Sequence, residues 1–515
     1  MNSRVEKTLI ICAGVTLAFS IARAGTQWQV AWQRSFGGTN TDNLTSLQGT
    51  SDGGYVLGGT SNSGATGNKT SAKYGDYDYW VIKLDAAGDK VWENVFGGTN
   101  TENLNSILQA NDGGYVLGGI SFSGISGNKT NTWYGSADGW LLKLDAAGNK
   151  VWDQSFGGTS IDSITAVHTN SEGGYILAGT SMSGISGNKT SPNYGLTDFW
   201  LLKVDTNGNK IWEQSFGGTF SDGALCLDVT RDGGYIIGGP ASSGISGIKT
   251  SPGYGGSDYW VVKVDSSGNE QWENSFGGSL GDTLVKVLQT SDDGYILGGF
   301  SSSGVSGNKT STNYGGSDFW VIKLDSSGNK VWENSFGGAG NEELRGLALA
   351  ADGGYLLGGY SGSIVSGNKT SPNFGGADYW ILKLDADGNK LWEQSFGGTS
   401  DDYLYALQET QDGGIILGGY SSSPVSGNKT SPQYGASDFW VIKLEMPRPE
   451  LTIARLGQQV VLSWPSPSPG FVLEKNSNLA TTNWTGAGAT PVDDGTTKSV
   501  TVDATRSLFY RLRSQ

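Results

Sequence analysis

The chain runs to 515 residues with a formal charge of −15, 83 glycines against 12 prolines, two cysteines and a single histidine. So acidic a surface repels phosphate backbones and argues against nucleic acid as a partner. The 18 Trp, 21 Tyr and 17 Phe beside that much glycine argue against disorder and suit an all-β chain of short strands and tight turns.

Residues 1–24 read as a secretory signal peptide, with Arg4 and Lys7, an apolar run from Thr8 to Ala22, and Ala22-Arg23-Ala24 as a small-x-small cleavage site. The run is too short for a transmembrane helix, and no other long apolar stretch follows. An exported monomer, secreted or held at the cell surface, is expected. Removal of the leader near Ala24 leaves a charge of −17 and Cys226 alone, without an intramolecular disulfide.

From Phe36 onward the chain repeats. Phe36, Phe96, Phe156, Phe216, Phe276, Phe336 and Phe396 each open a Phe-Gly-Gly, and Trp80, Trp140, Trp200, Trp260, Trp320, Trp380 and Trp440 keep the same 60-residue step. One period predicts four strands: A from Leu44 to Thr50, B from Tyr55 to Ser61, C from Tyr79 to Asp85 and D from Lys90 to Phe96. Ser51-Asp52-Gly53-Gly54 turns A into B, a 16-residue connection (Asn62 to Tyr77) leads to C, and Ala86-Ala87-Gly88-Asp89 makes a hairpin in which Gly88 takes positive φ. Seven such units predict a seven-bladed β-propeller over residues 28–445. A lone D-type strand, Trp28 to Phe36, precedes the first A strand, and the last repeat stops at strand C with Leu444-Glu445. The first strand is therefore expected to complete the last blade and close the ring, leaving no raw sheet edge.

Fourteen tryptophans fall on strands C and D at fixed positions and are read as core, with Trp80, Ile82 and Leu84 on one face of strand C. Gly58-Gly59 is expected to let a facing indole approach the backbone of strand B. The Ser-Asp-Gly-Gly-Tyr-x-Leu-Gly-Gly element at Ser51 to Gly59 and the Trp-Val-Ile-Lys-Leu-Asp-x-x-Gly-Asn-x-x-Trp element resemble repeats of secreted bacterial and archaeal β-propeller proteins. That resemblance implies an extracellular or surface-associated binding scaffold. The Leu-Asp-x-x-Gly-x-x-x-Trp portion also resembles the tryptophan-docking repeat of quinoprotein dehydrogenases, but their vicinal cysteine pair and quinone pocket are missing from this sequence, so no cofactor is expected.

Met446-Pro-Arg-Pro449 reads as a linker, and residues 450–515 as a small β-sandwich with strands at Glu450 to Ile453, Gln459 to Trp464, Gly470 to Lys475, Lys498 to Val502 and Leu508 to Arg513. Through Val-Leu-Ser-Trp464-Pro, Asn483-Trp484 and Phe509-Tyr-Arg-Leu-Arg it resembles the fibronectin-III-like C-terminal module of planctomycete and verrucomicrobial secreted proteins, which implies anchoring, spacing or sorting.

No catalytic set stands out, and no metal site is expected. His168, the single histidine, sits in strand A of its repeat and reads as a strand residue rather than a catalyst. Propeller geometry puts the long B–C loops and the D–A connections on one face. The loops carry a recurring Gly-Asn-Lys-Thr, with lysines from Lys69 to Lys429, and the D–A connections carry an acidic ring: Asp42, Glu102, Asp162, Asp222, Asp282, Glu342 and Asp402. Residues present in all seven copies serve the repeat, so both rings are read first as turn caps and locks between neighbours. Asymmetry makes a better site. The second repeat departs at Phe122 and Trp133, and Trp133 beside Tyr134, with Lys129, gives an aromatic candidate for stacking on a sugar. The function expected is a non-enzymatic scaffold for a polysaccharide or a surface protein; the alternative is an extracellular polysaccharide-active enzyme or a quinoprotein-like oxidoreductase.

Overall fold

Residues at positive φ set the corners of the repeats: Gly53 (φ 81°) in the A–B turn, a place Asp293 (φ 63°) takes in the fifth repeat, Gly67 (φ 60°) in the long loop and Gly88 (φ 80°) between C and D. A computed structural model describes residues 28–446, 449–466, 471–478, 481, 483–495, 497–503 and 508–514. The expected leader, residues 1–24, and residues 447–448 of the expected linker lie outside them. The protein is all-β, with repeated four-stranded antiparallel sheets.

In the first sheet strand A (Asp42–Gly49), strand B (Tyr55–Ser61), strand C (Asp78–Leu84) and strand D (Lys90–Phe96) lie side by side in chain order. Sheets of the same order follow within residues 102–156, 162–216, 226–276, 282–336 and 342–396. The next unites Asp402–Glu409, Ile415–Ser421 and Asp438–Glu445 with the N-terminal strand Gln29–Phe36, which occupies the D position beside Asp438–Glu445. Strand A starts two residues earlier than the apolar pattern indicated. Asp42 is fully buried and pairs opposite Ser61, because its carboxylate is capped inside the sheet rather than solvated in a turn.

Strand C is buried on both faces, and alternation sends its side chains to opposite neighbours. Trp80, Ile82 and Leu84 pack with Phe439 and Val441, while Tyr79 and Val81 pack with Trp140 and Leu142. The aromatic before each tryptophan tilts onto the tryptophan of the next sheet, from Tyr79 on Trp140 (4.9 Å between ring centroids) round to Phe439 on Trp80 (4.7 Å). Gly139 removes this ring from the second sheet, and the bulk of Ile164 lies against it instead. On strand D, Trp92 meets Tyr115 edge-on at 5.6 Å, and Gly148 of the next C–D turn lies against the same indole, where a Cβ would come within 2.8 Å. Positive φ and close approach both require glycine there.

Gly58-Gly59 leaves no room for a side chain. A Cβ on Gly58 would strike Leu104 at 2.6 Å, and one on Gly59, which pairs opposite Trp80, would meet the Asn43 carbonyl at 2.1 Å and the Phe439 ring at 2.7 Å. The third sheet supports this account of Gly58. Alanine replaces the glycine at Ala178, and Ala224 replaces the leucine or isoleucine that faces the equivalent glycine elsewhere; both alanines are buried in one cluster.

The C-terminal unit has its own core. Thr452–Leu456, Gln459–Pro465, Thr497–Asp503 and Val492–Asp493 form one sheet, and Thr485–Gly486, Phe471–Asn476 and Phe509–Ser514 form a second. Leu462, Trp464, Leu473, Val500 and Tyr510 are buried together. Among the described residues, no helix is long and apolar enough to cross a membrane.

Candidate functional site

The recurring polar residues of the long loops are engaged within the repeat. Asn68 accepts from Gly37 N and donates to Ser35 O, both at 2.9 Å, strapping its loop to the preceding strand, and Asn128, Asn188, Asn308, Asn368 and Asn428 repeat the strap. These are the asparagines of the Asn-x-Thr sequons that six of the seven long loops carry, and their amide nitrogens are spent on backbone carbonyls. Ile248 replaces the seventh and keeps only the backbone bond to Gly217 O, at 3.0 Å. Each loop lysine is buried over the strand C indole at 5.5–6.0 Å. Lys129 donates to Asn131 Oδ1 at 2.6 Å and Ser155 Oγ at 2.8 Å, and burial drives its pKa down to about 8.

The acidic ring is buried as well. Asp42, Glu102, Asp162, Asp222, Asp282, Glu342 and Asp402 are 0 % exposed, and each accepts from the second glycine N–H of the preceding Phe-Gly-Gly at 2.7–2.8 Å. Each meets a second carboxylate, the aspartate that opens strand C of the sheet before it: Asp438 for Asp42, Asp78 for Glu102, and so on. A Cβ on Gly97 would fall 1.9 Å from Asp78 Oδ1 and 2.7 Å from Glu102 Oε2, so the missing side chain is the space where the two acids converge. Burial pushes Asp78, Asp138, Asp198, Asp258, Asp318 and Asp438 up to about 6 and Asp378 up to about 7. Among the described residues no three His, Cys, Asp or Glu side chains converge to hold a metal ion.

The structure does not bring the four aromatic and lysine candidates of the second repeat together on an exposed patch. Trp133 is 46 % exposed. Tyr134 is half-buried: its N–H donates to Asp138 Oδ2 at 2.8 Å, and its Cβ lies against Gly187 of the following loop, a place that tyrosine or phenylalanine fills in every repeat. Phe122 is half-buried with its backbone tied to Thr101 and Asn100, and Lys129 lies beneath the loop.

Strand A of every sheet lines one cavity of about 180 Å³ that includes His168, Cys226 and Lys286. Side chains on these strands reach the next strand A: Thr45 Oγ1 to Leu104 O (2.6 Å), Asn105 Nδ2 to Ile164 O (2.8 Å) and Thr165 Oγ1 to Ala224 O (2.8 Å). Burial and the facing Lys286 lower the His168 pKa, against the pull of Asp228. Burial also raises the Cys226 thiol to about 12.

A second asymmetric feature escaped the sequence reading. At the ends of strands A and B nearest the long connections, the last three sheets carry Phe300, Glu343, Arg345, Tyr360, Tyr403, Tyr405 and Tyr420 where the first three carry Thr, Asn, Ser or Ile. The Arg345 guanidinium lies 5.4 Å from Phe300, 5.5 Å from Tyr405 and 5.8 Å from Tyr360. The signal was present as a break in the 60-residue register, within strands rather than loops.

No protein-family model matches the chain. The regulatory protein FlaEY of Caulobacter vibrioides is 27 % identical over 398 residues, covering 70 % of this chain, which spans only 40 % of that relative's length. The repeated sheets resemble WD40 and other propeller-like folds. Sqt1 of Chaetomium thermophilum matches at a TM-score of 0.41 and 10 % identity, over 85 % of this chain and 97 % of that one. The Pan2 WD40 domain of Neurospora crassa matches at 0.43 and 10 %, over 81 % and 96 %.

Proposed function

We propose that the sheets are the seven blades of a closed β-propeller clasped by the N-terminal strand, and that the protein is a secreted or cell-surface scaffold without catalytic activity. Its long-loop face binds a polysaccharide or a surface protein, and its C-terminal unit is a fibronectin-III-like sandwich that anchors or spaces the propeller. Closure is supported by the cluster that unites Leu44, Leu57 and Trp80 with Ile416, Phe439 and Val441. The bond from Gly49 N to Gln408 Oε1 at 2.8 Å supports it too. The description of the Caulobacter relative as a regulatory protein fits a binding role.

One observation carries the binding reading. The polar residues common to all repeats are buried and internally bonded, which leaves the residues that break the pattern to distinguish one sector of the face from another. On a glycan and cell-wall array, Trp133→Ala is expected to weaken binding while leaving the melting temperature unchanged, because the exposed indole contributes little to the core. Unaltered binding would remove Trp133 from the site.

A further inference from the structure

The departures in the last three sheets carry a more specific site than Trp133. Arg345, Phe300, Tyr360 and Tyr405 form one cluster, and Tyr403 and Tyr420 extend it. Tyr403 stands perpendicular to Tyr360 at 4.6 Å, Tyr420 lies 5.2 Å from Tyr403, and Tyr405 stacks on Tyr420 at 5.5 Å with 26° between planes. All six side chains are half-buried, so each keeps part of its surface accessible. Arg345 Nη2 pairs with Glu343 Oε2 at 2.5 Å, while its Nε has no hydrogen-bond partner among the described residues.

The repeat does not require these residues. The positions of Tyr360 and Tyr420 hold Thr60, Ile120 and Thr180 in the first three sheets, and that of Tyr403 holds Asn43, Asn103 and Ser163. The position of Arg345 and Tyr405 is more telling. In the first three sheets Thr45, Asn105 and Thr165 fill it and bond each strand A to the next. The sixth and seventh sheets give up that bond for a guanidinium and a phenol.

We propose that this tyrosine–arginine cluster is a saccharide subsite, taking a neutral pyranose unit of a polysaccharide. The inference rests on the reading of the loop face as a polysaccharide-binding surface and relocates its centre. A pyranose with equatorial hydroxyls offers a flat face of C–H bonds for a ring to cover and an edge of hydroxyls for planar polar groups to bond. Tyrosine supplies both faces and hydroxyls, and Arg345 and Glu343 supply a donor fork and an acceptor side by side. Because Arg345 is already neutralised by Glu343 and the chain carries −15, an acidic sugar gains no free cation and meets a repulsive surface.

The test is titration calorimetry of the full chain with cellohexaose, xylohexaose, mannohexaose and a hexamer of alginate. The variants are Tyr403→Asn and Tyr405→Thr, which install residues the same positions already hold in other sheets, and Trp133→Ala. At least one neutral hexamer is expected to bind and the alginate hexamer not to. Each tyrosine variant should weaken binding at least tenfold with an unchanged melting temperature. Undiminished affinity in both tyrosine variants overturns the subsite, and loss of affinity in Trp133→Ala alone returns the site to the second repeat. Tight binding of alginate overturns the neutral-sugar assignment. Binding of none of the four by the unaltered chain overturns the polysaccharide reading itself, and the subsite with it.

Discussion

Between pH 8 and pH 4.5 the folded chain is expected to become more stable as the pH falls, by an amount on the order of 5 kcal/mol. The cause is the set of junctions where two buried carboxylates meet against a Phe-Gly-Gly glycine. The strand C aspartates have folded pKa values of about 6, and about 7 at Asp378, well above the ordinary 3.8. A group whose folded pKa is raised holds a proton in the folded state that the unfolded state releases between about pH 4 and 6, so stability is gained as pH falls through that window. Each tenfold gain in proton affinity on folding corresponds to about 1.4 kcal/mol, and the two interacting carboxylates of a junction titrate as a pair, which keeps the total below the sum over separate sites. Below pH 4 the trend reverses. Asp52, Asp232 and Asp292 are held down to about 2 by hydrogen bonds to Thr hydroxyls and to Lys83, Lys263 and Lys323, and that contribution is lost as they protonate. Urea midpoints measured from pH 3 to pH 8 should therefore peak near pH 4–5. Asp318→Asn should raise the midpoint at pH 8, because the amide still accepts from Tyr314 N–H and can donate to Glu342. A midpoint that climbs steadily to pH 8 would contradict this assignment.

Removal of residues 1–36 is expected to prevent folding to a soluble monomer. The N-terminal strand is the neighbour of Asp438–Glu445 in the last sheet. Gln33 caps the long loop of that sheet as Glu93 caps the first: its Oε1 accepts from Thr430 N at 2.9 Å, where Glu93 accepts from Thr70 N, and it also accepts from Trp440 Nε1 at 3.2 Å. Trp32 packs edge-on against Tyr55 at 5.8 Å, and Phe36 is 4 % exposed in the same core. Losing either large ring typically costs about 3–5 kcal/mol, so losing both approaches the whole margin of about 5–15 kcal/mol that holds a domain folded. The deletion also exposes a long strand edge that invites association. Size-exclusion chromatography should find the truncated chain in aggregates, and transfer of residues 28–36 to follow Glu445 should restore the monomer. A monomeric, cooperatively melting truncation would show that the strand is dispensable.

Much of this architecture was legible because a strict 60-residue period repeats every local signal seven times. The strand order, the offset first strand and the packing roles of Trp80 and Trp92 all follow from spacing and alternation. What was not legible depends on contacts between sheets. Nothing in Gly58 alone says that Leu104 of the next sheet faces it, and the compensation between Ala178 and Ala224 shows only once that pairing is known. Asp42 read as a turn residue because carboxylates are seldom buried, and only the glycine N–H and serine hydroxyl that cap it explain its place. The Arg345 cluster escaped for another reason. Tyrosine and phenylalanine are ordinary strand residues, so Phe300, Tyr360 and Tyr405 looked unremarkable until the structure put them beside one guanidinium, whereas Trp133 drew notice because it sits in a loop.

Closure by the first strand is the claim on which the rest depends, and a covalent link tests it most directly. Ser35 of the N-terminal strand and Ser431 of the last long loop are both buried, with their hydroxyl oxygens 2.8 Å apart across 396 positions of sequence. In a Ser35→Cys, Ser431→Cys chain the native Cys226 thiol, buried and raised to about 12, does not compete. Peptide mapping of the oxidised, non-reduced monomer should find the segments around positions 35 and 431 joined by a disulfide within one chain. Free thiols at both positions in a folded monomer, or links between them found only in dimers and larger species, would contradict a ring closed by its own first strand.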